Sequence, residues 1–277
     1  MTDDHRTDSY APADMTGGIE GETARLEAQA ALSFDKELFL LHALGIGDGI
    51  SILEVGSGTG AVTTRLARAF PNSAITALEP DPALRAVAAR RMADDTIPTD
   101  RIITVDGTCE ETGLADDSID LAFVRFVFQH LADPTAAGRE VRRVLRPGGR
   151  IVVVDVDGEL WGLSSPYNAD LMPIHARVFA AQTNRGGNRY IGRHLSRILD
   201  SAGFSDTALH TFAVSSDEVG LEPFAPIIGP ENLLPHVESG LVSMSEYSRV
   251  LRDYQRFAAD PNHVVISLGF LATGLKP

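Results

Sequence analysis

The sequence contains a single cysteine, Cys109, and this scarcity excludes two kinds of protein. One cysteine cannot form an intramolecular disulfide, and it cannot supply a zinc site built on cysteines. No apolar stretch approaches the length of a membrane-spanning helix, and the first residues are polar and acidic rather than signal-like. We therefore expect a soluble, cytoplasmic protein that does not interact with membranes, and we predict no metal site.

Basic residues are also scarce, since 24 Lys and Arg stand against 38 Asp and Glu, a formal net charge of −14. Such a charge repels the phosphate backbone of nucleic acids. The densest basic group has the spacing of one solvated helix face and consists of Arg139, Arg142, Arg143 and Arg146. We therefore predict that no nucleic acid is bound. The sequence leaves a homodimer and a monomer equally open.

The most informative stretch is Ile50–Gly60, a short apolar run that ends in a glycine-rich turn. An Ala- and Leu-rich helical pattern follows at once over Ala61–Phe70, so the segment predicts a strand, a tight loop and a helix. Glycines allow a sharp turn and close approach of a ligand, and the helix start offers free N–H groups. The loop therefore predicts a cofactor site at the C-terminal end of the first strand.

Two cofactor classes fit this loop. Gly56, Gly58 and Ala61 satisfy the dinucleotide fingerprint, which would make the protein an NAD(P)-dependent oxidoreductase. Glu54 and Gly60 favour another class, because a carboxylate at Glu54 would repel a pyrophosphate and attract the ammonium group of an amino-acid-bearing cofactor.

The stretch Leu53–Gly60 resembles the first motif of the class I S-adenosylmethionine (SAM)-dependent methyltransferases, and Val144–Arg150 resembles a second motif of that family. The resemblance covers residues 45–156 strongly and 192–274 weakly. It implies an α/β fold with a Rossmann-like, seven-stranded, doubly wound sheet whose last strand is antiparallel, and SAM as the cofactor. The loop residues that it assigns to SAM are Glu54, Gly56, Ser57, Gly58 and Gly60.

Two further strand ends are expected to hold the cofactor. Glu79 ends the second strand, where an acid can accept hydrogen bonds from both ribose hydroxyls, and Pro80 follows it. After the third strand the family usually has an aspartate that binds the adenine amino group, but this sequence has Thr108 there. The resemblance therefore assigns Thr108 and the backbone of Cys109 to the adenine, with Asp106 as the alternative if the loop is shifted.

A charge interrupts the apolar fourth strand at Arg125, and the next residues resemble the family segment that lines SAM and the transferred methyl group. Arg125 and Phe126 are therefore assigned to the cofactor, through the Arg125 carbonyl. The Arg125 guanidinium could instead hold an acceptor carboxylate or join a network with Glu54. Gln129 is assigned to the acceptor, and His130 is either a general base or part of the packing of the turn.

Residues 1–18 have the composition of a flexible tail, and residues 19–44 that of a helical cap. Residues 19–277 are predicted to form one domain. In many small-molecule methyltransferases a helical N-terminal segment closes over the site. By that resemblance Tyr10 is assigned to the acceptor and Arg25 to the cofactor, with exposed positions on an amphipathic helix as the alternative.

Two insertions, 157–190 and 215–261, are interpreted as lids over the acceptor. The first mixes aromatic and hydrogen-bonding side chains with prolines and glycines, as a pocket wall does, although an ordinary surface insertion would have the same composition. Its candidate base is His175. Its candidate acceptor-binding residues are Trp161, Tyr167 and Tyr190.

These assignments imply transfer of the sulfonium methyl group of SAM to an O, N or C nucleophile of a small molecule. A pocket that is rich in aromatic residues and partly acidic suits an apolar or cationic acceptor, such as an aromatic natural product. Two alternatives stay open, namely the oxidoreductase and a SAM-binding regulator without catalytic activity.

Overall fold

The computed structural model describes residue 10 and residues 17–160, 162–225 and 229–277. Most of the predicted tail, and the side chain of Trp161, lie outside these residues, so both assignments stay predictions. None of the described helices is both long and apolar enough to cross a membrane.

Strands and helices alternate through the first half of the chain, and the second half adds three strands among further helices. The strands are β1 (Ser51–Val55), β2 (Ala74–Leu78), β3 (Ile102–Val105), β4 (Ile119–Arg125), β5 (Leu145–Val156), β6 (Leu163–Ser165), β7 (Ser205–Ser215) and β8 (Val264–Leu275). The α-helices are α1 (Gly18–Ala43), α2 (Ala61–Ala69), α3 (Pro82–Asp94), α4 (Pro134–Val144), α5 (Leu171–Thr183), α6 (Leu195–Ser201), α7 (Ser216–Val219), α8 (Leu234–Glu238) and α9 (Met244–Ala259).

Helices α3 and α4 begin where the sequence indicates. The carboxylate of Asp81 accepts a hydrogen bond from the N–H of Ala83 at 2.8 Å, and that of Asp133 accepts one from Ala136 at 2.9 Å. A proline follows each aspartate and occupies the first helical turn, where its missing N–H costs nothing. Each aspartate therefore fixes the point at which the chain leaves a loop at the edge of the sheet.

The sheet confirms the predicted class. Its strand order is β3-β2-β1-β4-β5-β8-β6, with β7 also paired to β8. Strands β1 to β5 are mutually parallel, and β8 runs antiparallel to β5, β6 and β7. The sheet thus has one strand more than the seven expected. Because β5 pairs only with Gly269–Leu275, the start of β8 has free backbone groups, and β6 pairs with Val264–Ile266 there.

The core lies on both faces of this sheet. Ile52 and Phe123 point to the face that α1 and α2 cover, whereas Leu53 and Val124 point to the face that α4 and α6 cover. Because both faces are buried, the central strands are apolar throughout rather than alternating. The C-terminal ends of β1, β2, β4 and β5 nevertheless carry or precede polar side chains, and these ends form the candidate site.

Candidate active site

The glycine loop after β1 is held against β2 through its backbone. The N–H groups of Gly56 and Ser57 both donate to the carbonyl oxygen of Leu78, at 2.9 and 3.0 Å. Gly56 has a φ of 71°, and a Cβ added there would come within 2.5 Å of a Val127 methyl group. Gly60, with φ 75°, caps α2 and lies close to Ala88, which would be 3.0 Å from an added Cβ. These two positions therefore require glycine for reasons of conformation and space.

Four buried polar atoms around this loop have no hydrogen-bond partner among the described residues. They are Oε2 of Glu54, Oγ of Ser57, Oγ1 of Thr59 and Oε1 of Gln29. All four residues line one large cavity. An unsatisfied buried polar atom costs stability, so such a group indicates where a ligand completes the hydrogen bonding.

Glu54 is 2% exposed at the end of β1. Burial raises the pKa of its carboxyl group to about 8, which the Thr63 hydroxyl and the Arg125 guanidinium only partly oppose. An ammonium group beside Oε2 would restore the ionised carboxylate and satisfy its free oxygen. Glu54 therefore fits the amino-acid end of SAM.

Glu79 follows β2 and lines the cavity together with Pro80. Its two carboxylate oxygens accept the N–H groups of Gly58 and Asp81, each at 2.9 Å, and burial raises the pKa of the carboxyl group. Each oxygen keeps a lone pair, so the fixed carboxylate can also accept two ribose hydroxyls, as expected.

Thr108 and Cys109 line the cavity at the position expected for the adenine. The Thr108 hydroxyl accepts a hydrogen bond from the N–H of Glu111 at 3.2 Å, so it stabilises its own turn. Burial raises the pKa of the Cys109 thiol, which disfavours a reactive thiolate. Asp106 is not among the lining residues and pairs with Arg85 at 3.1 Å instead. The adenine alternative at Asp106 is therefore not supported.

Arg125 connects the end of β4 to the N-terminal helix. Its guanidinium pairs with Glu37 at 2.9 Å and donates to the Ser33 hydroxyl and the Gln29 carbonyl oxygen, both at 3.0 Å. The guanidinium therefore holds α1 against the sheet and has no hydrogen bond to Glu54. The next residue, Phe126, has a φ of 56°, a strained conformation for a non-glycine residue at the edge of the cavity.

Gln129 is the centre of a buried network rather than a free contact. Its N–H donates to Asp155 Oδ2 at 3.0 Å, and its side-chain oxygen accepts a hydrogen bond from Arg189. Its backbone carbonyl accepts hydrogen bonds from Asn188 and from the Gln182 side chain. Gln129 thus fixes the segment that follows α5 against the end of β4.

His130 is half-buried and lines the cavity, with its ring centroid 5.1 Å from that of Tyr10. Burial, together with Arg189, Arg25 and Arg185, lowers the pKa of His130 to about 3. A histidine with so low a pKa stays neutral and is a weak base. The structure therefore favours packing and hydrogen bonding over the general-base role.

The N-terminal segment enters the cavity through a polar triad. The Tyr10 hydroxyl donates to Glu22 Oε1 at 2.5 Å, and the Arg25 guanidinium binds both Glu22 oxygens at 2.7 Å. All three residues line the cavity. Tyr10 and Arg25 therefore reach the site, as one of the two alternatives from the sequence expects.

The first insertion contributes α5 and the loop that follows it. His175 stacks on Phe179 at 5.4 Å, and its pKa is lowered to about 4 by burial and by Arg189 and His236. Tyr190 packs edge-on against Phe179 without lining the cavity. Tyr167 is 66% exposed and also lies outside the cavity lining.

The cavity as a whole has a volume of about 1360 Å³. The second insertion contributes apolar and aromatic lining residues from its helices, among them Leu233, Tyr254 and Phe257. Several lining residues were not singled out by the sequence, namely Glu22, Glu110, Arg185, Arg189 and His236. In the sequence, the only feature that points to Arg185 and Arg189 is that they lie on either side of the Gly186–Gly187 pair. Within the described residues, no three or more His, Cys, Asp or Glu side chains converge as a metal site would require.

Comparison with known proteins decides which cofactor this geometry serves. The family model of the methyltransferase domain matches residues 53–153. The malonyl-[acyl-carrier protein] O-methyltransferase of Geobacter sulfurreducens is 30% identical over 248 residues, which cover 84% of this chain and 87% of that protein. The chain belongs to the class I SAM-dependent methyltransferases. SAM is accordingly its cofactor, and the glycine loop is not a dinucleotide site.

Two further similarities concern proteins longer than this methyltransferase. An uncharacterized 37.1 kDa transposon protein of Streptomyces fradiae is 30% identical over 73% of this chain, which spans 61% of that protein. A solved structure of a Haemonchus contortus phosphoethanolamine N-methyltransferase, bound to phosphomonomethylethanolamine and S-adenosylhomocysteine, has a TM-score of 0.57. The two sequences are 19% identical, and the match spans 90% of this chain and 56% of the Haemonchus protein. At this identity the similarity shows the fold alone.

Proposed function

We propose that this methyltransferase transfers the SAM methyl group to an O, N or C nucleophile of a small-molecule acceptor. The observation that carries the proposal is a single cavity of about 1360 Å³ that joins the cofactor residues to the walls formed by α5 and the second insertion. Sites for one drug-sized ligand typically occupy about 300–1,000 Å³. The cavity therefore has room for an acceptor beside the cofactor.

SAM supplies a methyl group that is already activated by the sulfonium charge. The residues of the chain then need to hold two molecules in line, and such alignment can lower a barrier by about 7–11 kcal/mol. Glu54, Glu79 and the glycine loop would hold the amino-acid and ribose ends of the cofactor. Gln129 and the Phe126 turn would define the boundary between cofactor and acceptor.

Alignment rather than proton removal is the main catalytic contribution in this proposal. His130 and His175 are the histidines assigned to the site, and their pKa values of about 3 and 4 make both neutral near pH 7. Each can still accept or donate a hydrogen bond that orients the acceptor. Phe179 and Phe257 give the compartment flat apolar surfaces, which supports an acceptor that contains a ring, such as an aromatic natural product.

Calorimetric titration with S-adenosylhomocysteine and with NADH is the first test, and we expect micromolar binding of the former alone. The Glu79→Gln variant should weaken that binding about tenfold or more, because it removes a charged acceptor from the ribose site. Glu111→Gln is the matched control, since Glu111 is exposed and does not line the cavity.

Release of S-adenosylhomocysteine from SAM in the presence of acceptor libraries then tests catalysis. Turnover with at least one small molecule supports the proposal. Tight cofactor binding without turnover for any acceptor would instead indicate a SAM-binding regulator. Binding of NADH in place of S-adenosylhomocysteine would overturn the cofactor assignment.

A further inference from the structure

Charged side chains of both signs line the cavity. Four are arginines, namely Arg25, Arg125, Arg185 and Arg189, and six are glutamates. What a ligand meets therefore depends on which of these arginines is already paired with an acid of the chain.

Arg25 and Arg125 are neutralised inside the protein, whereas Arg185 and Arg189 are not. Arg25 binds both oxygens of Glu22 at 2.7 Å, and Arg125 pairs with Glu37 at 2.9 Å. Neither Arg185 nor Arg189 forms an ion pair with an acid in the described part of the chain. Arg193, only a few residues further on, pairs with Asp157 and Glu159, so acids are available to arginines in this region.

Arg189 is held in a defined position. One of its terminal N–H groups donates to the Gln129 side chain, and its guanidinium lies over the Phe179 ring at 5.8 Å from the centroid. The nearby Asp155 uses its oxygens for the N–H groups of Gln129 and Val156, at 3.0 and 2.9 Å. A guanidinium has five N–H donors, so several of those on Arg189 stay available to a ligand.

The electrostatic effect of these arginines reaches both sides of the compartment. Arg189 and Arg185 lower the pKa of His130, Arg189 also lowers that of His175, and Arg185 lowers that of His236. These histidines come from the end of β4, from α5 and from α8. Arg185 and Arg189 therefore act on the space between the three elements, where the acceptor would bind.

We propose that Arg189 and Arg185 form an anion subsite that binds a carboxylate or phosphate group of the methyl acceptor. This inference rests on the proposed function, because it identifies the acceptor for the same cavity. Arg189 would bind the anion through its free N–H groups, and the exposed Arg185 would attract it at the mouth. Glu231 and Glu238, from the second insertion, also line the cavity and would repel an anion from that wall. The acceptor would therefore bind in one orientation.

The test uses the full chain saturated with S-adenosylhomocysteine and three probes of similar shape, benzoate, phenyl phosphate and benzamide. Binding is measured by calorimetry or ligand-observed NMR. We expect benzoate or phenyl phosphate to bind about tenfold more tightly than the neutral benzamide, and the preferred anion identifies the acceptor group. Equal affinities for all three probes, or no binding of either anion, would overturn the proposal.

Variants separate the subsite from the fold and from the cofactor. Arg189→Gln and Arg185→Gln should each weaken anion binding and leave the dissociation constants of benzamide and S-adenosylhomocysteine unchanged. We expect Arg185→Gln to fold normally, because this exposed side chain forms no hydrogen bond among the described residues. It therefore keeps the test valid if Arg189→Gln misfolds. Arg197→Gln, exposed on α6 and outside the cavity lining, is the charge-matched control.

Three outcomes distinguish the possible failures. If Arg189→Gln weakens S-adenosylhomocysteine binding but leaves anion binding intact, Arg189 belongs to the cofactor carboxylate and the subsite is refuted. If the wild-type protein does not bind S-adenosylhomocysteine at all, the proposed function itself fails. Normal cofactor binding without any preference for anions refutes the subsite alone.

Discussion

Replacing Glu37 by leucine tests whether the buried ion pair with Arg125 holds the N-terminal helix over the site. The Glu37 side chain is 0% exposed and that of Arg125 is 7% exposed, so removing the carboxylate leaves a buried, uncompensated guanidinium. Breaking a buried pair in this way typically costs about 3–5 kcal/mol. For a protein of this size that corresponds to a fall in melting temperature of about 6–20 °C.

Urea unfolding gives the free energy directly, and Lys36→Ala is the matched control. Lys36 is the neighbour of Glu37 but forms an ion pair with Glu218 in which both side chains are about half exposed. Such a surface pair contributes about 0–1 kcal/mol. The double variant Glu37→Leu with Arg125→Met should recover part of the loss, because no buried charge is left unpaired. If Glu37→Leu costs no more than Lys36→Ala, the pair does not hold the helix.

Three further predictions concern the site itself. The raised pKa of Glu54, about 8 against 4.5 for the free group, means that its contribution to stability is present below about pH 4.5 and is lost as the pH rises to 8. The urea midpoint of ligand-free Glu54→Gln should therefore fall less between pH 5 and 8.5 than that of the wild type, and parallel curves would contradict this. Gly56→Ala should lower both the melting temperature and the affinity for S-adenosylhomocysteine, because its Cβ would lie 2.5 Å from Val127, and an unchanged affinity would argue against the loop geometry. His130→Ala should lower stability and raise KM for the acceptor, because it removes a packing and orienting side chain, with a smaller effect on kcat per folded molecule. A large loss of kcat at unchanged cofactor affinity would restore the base assignment.

The sequence predicted those parts of the structure that are determined by interactions between neighbouring residues in the chain. The glycine loop, the aspartate caps and the apolar strands each depend on a few consecutive residues, and the structure has them where the sequence indicates. The start of β5 is an exception: the sequence predicts a turn at Pro147–Gly149 and a strand from Arg150, whereas β5 begins at Leu145. The position of Glu79 in the cavity lining was also predictable, because ligands bind at the C-terminal ends of the strands in this topology. The short strand β6 was missed because it forms only where β8 extends beyond β5.

The roles of the charged residues depended on partners far away in the sequence. For the Arg125 guanidinium the sequence offered an acceptor carboxylate or a network with Glu54, whereas its partner is Glu37, 88 positions earlier. Arg189 contacts Gln129 at a separation of 60. No local pattern shows that one arginine is neutralised and another is not. Such pairing decides which charges a ligand meets, and it depends on the fold rather than on neighbouring residues.

The arginines of the acceptor compartment also bear on how the acceptor becomes a nucleophile. A general base typically contributes about 10²–10⁴-fold, but it is needed only when the acceptor must lose a proton during the reaction. Burial, with a smaller contribution from the arginines, lowers the pKa of His130 and of His175. The same arginines would stabilise the ionised form of an acidic acceptor, since a nearby cation lowers the pKa of a carboxyl or hydroxyl group. An acidic acceptor would lose its proton to solvent, and Arg189 and Arg185 would stabilise the anion that remains. Such an anion presents its lone pair without a protein base, so the charge that binds the acceptor would also prepare it for methyl transfer.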